Sequence, residues 1–206
     1  MKRLKRKKRT IPEVLSRQDQ IRFLTALPSR TLLQRRNLAM VRLMLNAGLR
    51  SQEVCDIRLG DIHWSSGRLK VRGKGGRQRV VWLKDDDRDF LQGYFREFAE
   101  SSSNLSSGSL LFQTGPGQKI ITRFIRCMVS AAGARAGLTR DIHPHLLRHT
   151  FATDLLRETK NLPMVQKALG HADIGTTQIY THITDDELEF AMKNLRNENL
   201  IMANSP

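Results

Sequence analysis

Cysteine is scarce in this chain of 206 residues: Cys55 and Cys127 stand far apart, with no Cys-x-x-Cys pair. That spacing excludes a disulfide-built scaffold and the common zinc sites, and both thiols read as small buried residues. Long apolar runs are absent too. No stretch approaches the roughly 18 to 20 apolar residues that a spanning helix needs. The basic N-terminus is not followed by the apolar core of a secretory signal. There is no Walker-type glycine loop to cradle a nucleotide. The expectation is a soluble, cytoplasmic protein with no membrane partner.

Acids are the other deficit. Lys and Arg number 35 against 20 Asp and Glu, a net charge of +15. Residues 1–36 hold twelve Lys and Arg against Glu13 and Asp19, so ten of those fifteen charges lie there. The stretch Lys2, Arg3, Lys5, Arg6, Lys7, Lys8 and Arg9 can bury almost nothing and reads as an extended arm or linker over residues 1–15. The excess continues through Arg72, Lys74, Arg77, Arg79, Arg123, Arg126 and Arg135. A basic tail alone has a bland explanation, but a sustained excess points to a polyanion, since each neutralised phosphate releases counterions.

Periodicity predicts a mostly helical α+β chain. Ser16, with Asp19 three positions on, opens a helix running to Leu27. A second helix spans Thr31 to Ala47, with Gly48 as a left-handed cap, and a shorter one runs from Ser51 to Arg58. Short β-like runs follow at 62–64, 68–71 and 79–83, separated by Ser65-Ser66-Gly67 and Gly73-Lys74-Gly75-Gly76; they predict a three-stranded antiparallel meander. A helix from Asp86 to Glu100 leads into a serine-rich segment, 101–109, read as a flexible loop. Ile121, Phe124, Ile125, Met128, Val129 and Ala132 form one apolar helical stripe. Pro144 opens a helix to Arg157 with Leu147, Phe151 and Leu155 inward. Asn161 caps a helix over 162–169 that Gly170 stops. A helical turn is expected at 176–180, and a last helix from Asp185 and Asp186 to Asn197.

Several residues suit phosphate chemistry. His145 and Arg148, three apart at a helix start, share a face; an arginine offers a fixed fork of donors, and a helix N-terminus adds positive potential. Arg50 falls where one helix gives way to the next, and Glu53 is spaced to orient it or to form a surface pair with it. Lys74 sits in a glycine-rich turn. His171 follows a helix stop, and Tyr180 follows nine residues later. The other tyrosine, Tyr94, has no His or Arg in a matching frame and is structural; Trp64 and Trp82 read as sheet packing. His143, His145 and His149 form an HxHxxxH cluster, but Leu146 and Leu147 stand where a metalloprotease would carry its glutamate. Each residue alone has a bland explanation.

Together, GLRSQEV around Arg50, GKGGRQRVVWL around Lys74, HPHLLRHTFAT around His145 and Arg148, and LGHADIGTTQIYTH around His171 and Tyr180 resemble, in order, the tyrosine recombinase (phage integrase) family, in its Xer-like and integron-integrase-like branches. The resemblance covers residues 16–190 and fills six catalytic positions. It implies the family's catalytic-domain fold over 16–183, and a C-terminal helix and tail at 184–206 able to dock on a neighbouring protomer or on its own domain. It also implies strand cleavage by Tyr180 through a 3′-phosphotyrosyl link, with Arg50 and Arg148 clamping the phosphate. Lys74 would protonate the leaving 5′-oxygen, His145 would assist proton traffic at the tyrosine, and His171 would donate to a phosphate oxygen. Neither metal, ATP nor another cofactor is implied. The partner would be double-stranded DNA, contacted by the arm and by Arg72, Arg77 and Arg79. Assembly would be a homotetramer on two synapsed sites and a monomer when alone, in a bacterial or phage-encoded, nucleoid-associated protein.

Longer relatives carry an N-terminal core-binding domain ahead of such an arm, so the chain reads as either a short recombinase or part of a longer one. Three other readings stay open at this stage: a type IB topoisomerase-like relaxing enzyme, a non-catalytic DNA-binding regulator, and a metal hydrolase on the histidine cluster. Tyr180 and Lys74, which a mere binder needs neither of, favour cleavage.

Overall fold

The computed structural model describes residues 14–73, 76, 78–170 and 185–195. Residues 1–13 of the expected arm, Lys74, Arg77, His171, the expected helical turn at 176–180 and Tyr180 lie outside the described residues; Leu15, expected to end the arm, is instead buried in the core, its N–H donating to the Thr150 hydroxyl at 3.0 Å. Helix α1 (Arg17–Thr25) starts where the Ser16 hydroxyl accepts from the Asp19 N–H at 3.1 Å. Helix α2 (Leu32–Asn46) starts with a reciprocal cap between Thr31 and Gln34, which satisfies backbone donors that the first turn leaves unpaired. The short α3 (Ser51–Cys55) follows the Gly48 bend.

Strands β1 (Ile62–His63), β2 (Arg68–Arg72) and β3 (Gln78–Trp82) form the expected antiparallel meander, with Leu69 opposite Val81 and Val71 opposite Arg79. Helix α4 (Asp85–Glu100) follows, then a β4 (Gln113–Gly115) and β5 (Gln118–Lys119) hairpin, α5 (Thr122–Arg135), α6 (Pro144–Thr159), α7 (Leu162–Leu169) and α8 (Asp185–Asn194). Helix α2 packs against both α4 and α6, while α7 and α8 each touch β3. Met40, Met44 and Leu45 of α2 and Leu147, Phe151 and Leu155 of α6 are fully buried in this core.

Three further expectations change, and one element is new. Cys127 is exposed, unlike buried Cys55. Ile121 does not extend the α5 stripe: it occupies the N-cap, outside the helix, and is 63% exposed. The serine-rich segment is tied down, because the N–H groups of Leu59 and Gly60 donate to the Ser109 and Ser107 carbonyls at 3.0 and 2.8 Å. The β4–β5 hairpin was not anticipated; strands this short leave no period to read, though Pro116-Gly117 is a turn signal.

Gly48 decides how α2 meets α6. Its φ is +66°, and a Cβ there would stand 2.4 Å from the Phe151 ring. Left-handed backbone costs a non-glycine residue about 1–2 kcal/mol, and overpacking a core about 1–3 kcal/mol more. Gly48→Ala should therefore lower unfolding stability by roughly 2–5 kcal/mol in urea titration. An unchanged midpoint would show that the glycine is not required.

Candidate active site

The start of α3, strand β3 and helix α6 meet around one carboxylate, that of Glu53, with the ends of α2 and α7 held beside it. The path begins with capping: Arg50 occupies the N-cap of α3, and Glu53, three residues on, accepts from the Arg50 N–H at 2.8 Å. The same carboxylate accepts from Arg50 Nη1 at 3.0 Å. Its side chain is 4% exposed, whereas that of Arg50 remains 41% exposed.

Arg148 reaches this carboxylate from α6, with Nη1 3.7 Å from Glu53 Oε2. It also donates to the Gly48 carbonyl and, at 2.6 Å, to the Leu169 carbonyl. Both carbonyls lie at helix ends, where backbone acceptors lack helical partners. Arg148 therefore bridges the ends of α2 and α7 while its side chain stays 9% exposed. The structure thus brings Arg50 and Arg148 together, as the spacing of the two motifs alone does not dictate.

Arg79 is placed differently from the DNA contact expected of it. Its Nη1 and Nη2 grip the two Glu53 oxygens at 2.7 and 2.8 Å, and its Nε donates to the Ala168 carbonyl at 3.1 Å. The cause is register. Arg79 pairs with Val71 across the sheet, and paired residues of antiparallel strands share a face. Val71 is 2% exposed, so Arg79 points inward with it. Arg72, on the other face, is 40% exposed but holds both oxygens of Asp61 at 2.8 and 2.6 Å.

Electrostatics follow from this crowding. Burial opposes the Glu53 charge, but the hydrogen bonds and charge of Arg79, the Arg50 N–H and the Arg148 charge prevail and hold the carboxyl below its ordinary range. Burial and the neighbouring charges of Arg50 and Arg79 destabilise the Arg148 cation, with Glu53 opposing them. An arriving anion would relieve that repulsion. His145 is exposed on the first turn of α6. Partial desolvation of its ring, then the charges of His143, His149, Arg148 and Arg50, lower its pKa from 6.5.

His143 is the N-cap of α6, its Nδ1 accepting from the Leu146 N–H at 3.2 Å. Among the described residues, no group of three or more His, Cys, Asp or Glu is arranged to hold a metal ion. Tyr94 is 2% exposed and donates to the Leu111 carbonyl at 3.2 Å, a packing role. Trp64 stacks on Phe95, and Trp82 is buried.

The sequence profile described as the phage integrase family matches residues 14–187. The chain belongs to this family. Over 185 residues it is 36% identical to tyrosine recombinase XerD of Oceanobacillus iheyensis, covering 89% of this chain and 62% of that protein. Over 175 residues it is 36% identical to tyrosine recombinase XerC of Xylella fastidiosa, covering 85% and 58%. Two solved structures superpose with a TM-score of 0.70 at 28% identity. One is XerA recombinase, with 96% of this chain and 67% of that chain covered. The other is a pre-cleavage complex of XerH site-specific recombinase bound to difH substrate, with 84% and 50% covered. The chain spans about three fifths of the length of the curated relatives it matches.

In this phage integrase family member the lowered His145 pKa has a direct readout. A depressed value means the neutral ring prevails at pH 7, with half-protonation reached only below the ordinary midpoint of 6.5. An NMR titration should place the His145 midpoint below 6.5, and added DNA, by supplying anionic phosphate, should move it upward. A midpoint at or above 6.5 in the free protein would contradict the partial burial and cationic surroundings described for it.

Proposed function

We propose that this chain is the catalytic part of a site-specific recombinase that cleaves and rejoins double-stranded DNA through a 3′-phosphotyrosyl intermediate. The observation that carries the reading is the convergence of Arg50 and Arg148 on Glu53, in a chain belonging to the phage integrase family. Two guanidinium groups oriented by a buried carboxylate form a fixed positive site for the non-bridging oxygens of a phosphodiester. Arginine suits this work because its planar fork stays charged and matches phosphate geometry.

In this mechanism Tyr180 attacks phosphorus, forming the tyrosyl ester, and the 5′-oxygen leaves. His145, neutral near pH 7, takes part in proton transfer from the phenol. Lys74 delivers a proton to the leaving oxygen, and His171 donates to a phosphate oxygen. As charge builds on the phosphate oxygens, Arg50 and Arg148 stabilise it in an environment already organised to receive it. The ester retains the bond energy, so a second strand's 5′-hydroxyl can reverse the step without ATP, and fixed cations take the charge-stabilising place of a metal or other cofactor. The basic arm, with Arg72 and Arg77, adds phosphate contacts that strengthen binding without reading sequence. Assembly is a tetramer on two synapsed sites, with 184–206 docking between protomers, in a cytoplasmic, nucleoid-associated protein.

A nicked suicide substrate incubated with the protein in EDTA tests this reading. The expected result is a covalent adduct at the 3′ phosphate that disappears in Tyr180→Phe. Arg148→Lys should slow adduct formation by roughly 10²–10³-fold, the cost of removing one transition-state donor, while most DNA affinity persists. An adduct formed equally by Tyr180→Phe would remove the nucleophile. Relaxed circles without recombinant products would favour a topoisomerase over a recombinase.

A further inference from the structure

We propose that Arg79 is a positioning residue: it takes up most of the charge of Glu53, so that Arg50 and Arg148 keep positive potential and donors available for phosphate. The proposal rests on the strand-cleavage reading above and adds to it a residue that touches neither DNA nor the reacting atoms.

The argument begins with charge. Three guanidinium groups surround one carboxylate, and their distances are graded. Arg79 holds both oxygens, at 2.7 and 2.8 Å; Arg50 holds one, at 3.0 Å; Arg148 stands 3.7 Å away. Arg79 is therefore the principal counter-ion, and its 11% exposed side chain has little contact with solvent. A buried carboxylate must find compensation. Without Arg79, the nearest sources are Arg50 and Arg148, and Glu53 would draw both guanidinium groups onto itself. The anion site would lose positive potential and donors together.

Arg79 also fixes geometry. Its Nε holds the Ala168 carbonyl near the end of α7, beside the Leu169 carbonyl that Arg148 holds. Gly170, with φ +63°, lies so close that a Cβ would stand 2.8 Å from Arg79 Cδ. One side chain thus ties β3, the start of α3 and the end of α7 together. A surface DNA contact would instead stand open to solvent, as the 40% exposed Arg72 does.

Four proteins test this: wild type, Arg79→Lys, Arg79→Met, and Arg79→Met combined with Glu53→Gln. Two readouts are taken on folded protein, confirmed by circular dichroism. The first is the rate of adduct formation on saturating nicked DNA. The second is the affinity for inorganic phosphate, followed by NMR on the arginine Nε–H signals. The second does not need cleavage.

Arg79→Met should slow adduct formation about 10²-fold, comparable to losing a transition-state donor, and should weaken phosphate binding, with DNA affinity within about threefold of wild type. Neutralising the stranded carboxylate with Glu53→Gln should recover about tenfold in rate, a coupling typical of one ion-pair network, and part of the phosphate affinity. Arg79→Lys keeps the charge but loses the fork, so it should fall between wild type and Arg79→Met; it also carries the test should Arg79→Met not fold.

Wild-type rate and phosphate affinity in both folded single variants would overturn the proposal. So would a loss confined to DNA affinity, which marks a DNA contact, or failure of Glu53→Gln to recover either readout in folded double variant. Wild-type protein that binds phosphate but forms no adduct would contradict the cleavage reading; the phosphate titration alone then decides the role of Arg79.

Discussion

Burying a carboxylate is costly, and a protein that does so must supply cations or donors at short range. Glu53 is 5% exposed and is met by Arg50, Arg79 and Arg148, each arriving from a different element. Removing one member of such a buried set commonly costs about 3–5 kcal/mol, because the remaining charges lose their compensation. The cluster is therefore a strict geometric constraint on the fold. It sets how α3, β3 and α6 approach one another, and it leaves a surplus of positive charge that faces outward at Arg50.

The rest of the architecture delivers side chains to that point. The Gly48 bend turns α2 into α3 over Phe151, which places Arg50 at a helix start. Arg148 is anchored by carbonyls from the ends of α2 and α7, so the donors it spends on the scaffold are those that fix its orientation. Preorganisation of this kind lets charge developing on a phosphate meet cations that need not rearrange. The electrostatic crowding that destabilises the Arg148 cation would be relieved by an anion at the proposed site.

Much of this was legible in the sequence, and the limits have physical causes. Caps and stops located most helices well: Ser16, Thr31, Pro144, Asn161 and Gly170 mark termini that the backbone respects. Short elements were harder, as the β4–β5 hairpin shows, because two or three residues carry no period. Arg50 and Arg148 were recognised through their motifs, but their common partner was not assured, since Glu53 could equally have formed a solvent-facing helical pair. Arg79, a basic residue in a charged hairpin, reads as a surface DNA contact, whereas the structure turns it inward onto Glu53. The corrective signal was the strand register, in which Arg79 faces buried Val71. Composition cannot supply register; a turn's length and the pairing must fix it.

A family member that spans about three fifths of its curated relatives can still be judged on whether its own residues build a phosphate site. The most direct measurement is an experimental structure of this protein bound to a DNA duplex carrying its target. The account predicts that Arg50 and Arg148 donate to non-bridging oxygens of the same phosphate, while Arg79 remains on Glu53 and away from DNA. A scissile phosphate held elsewhere, with both guanidinium groups still committed to Glu53 and backbone carbonyls, would contradict it.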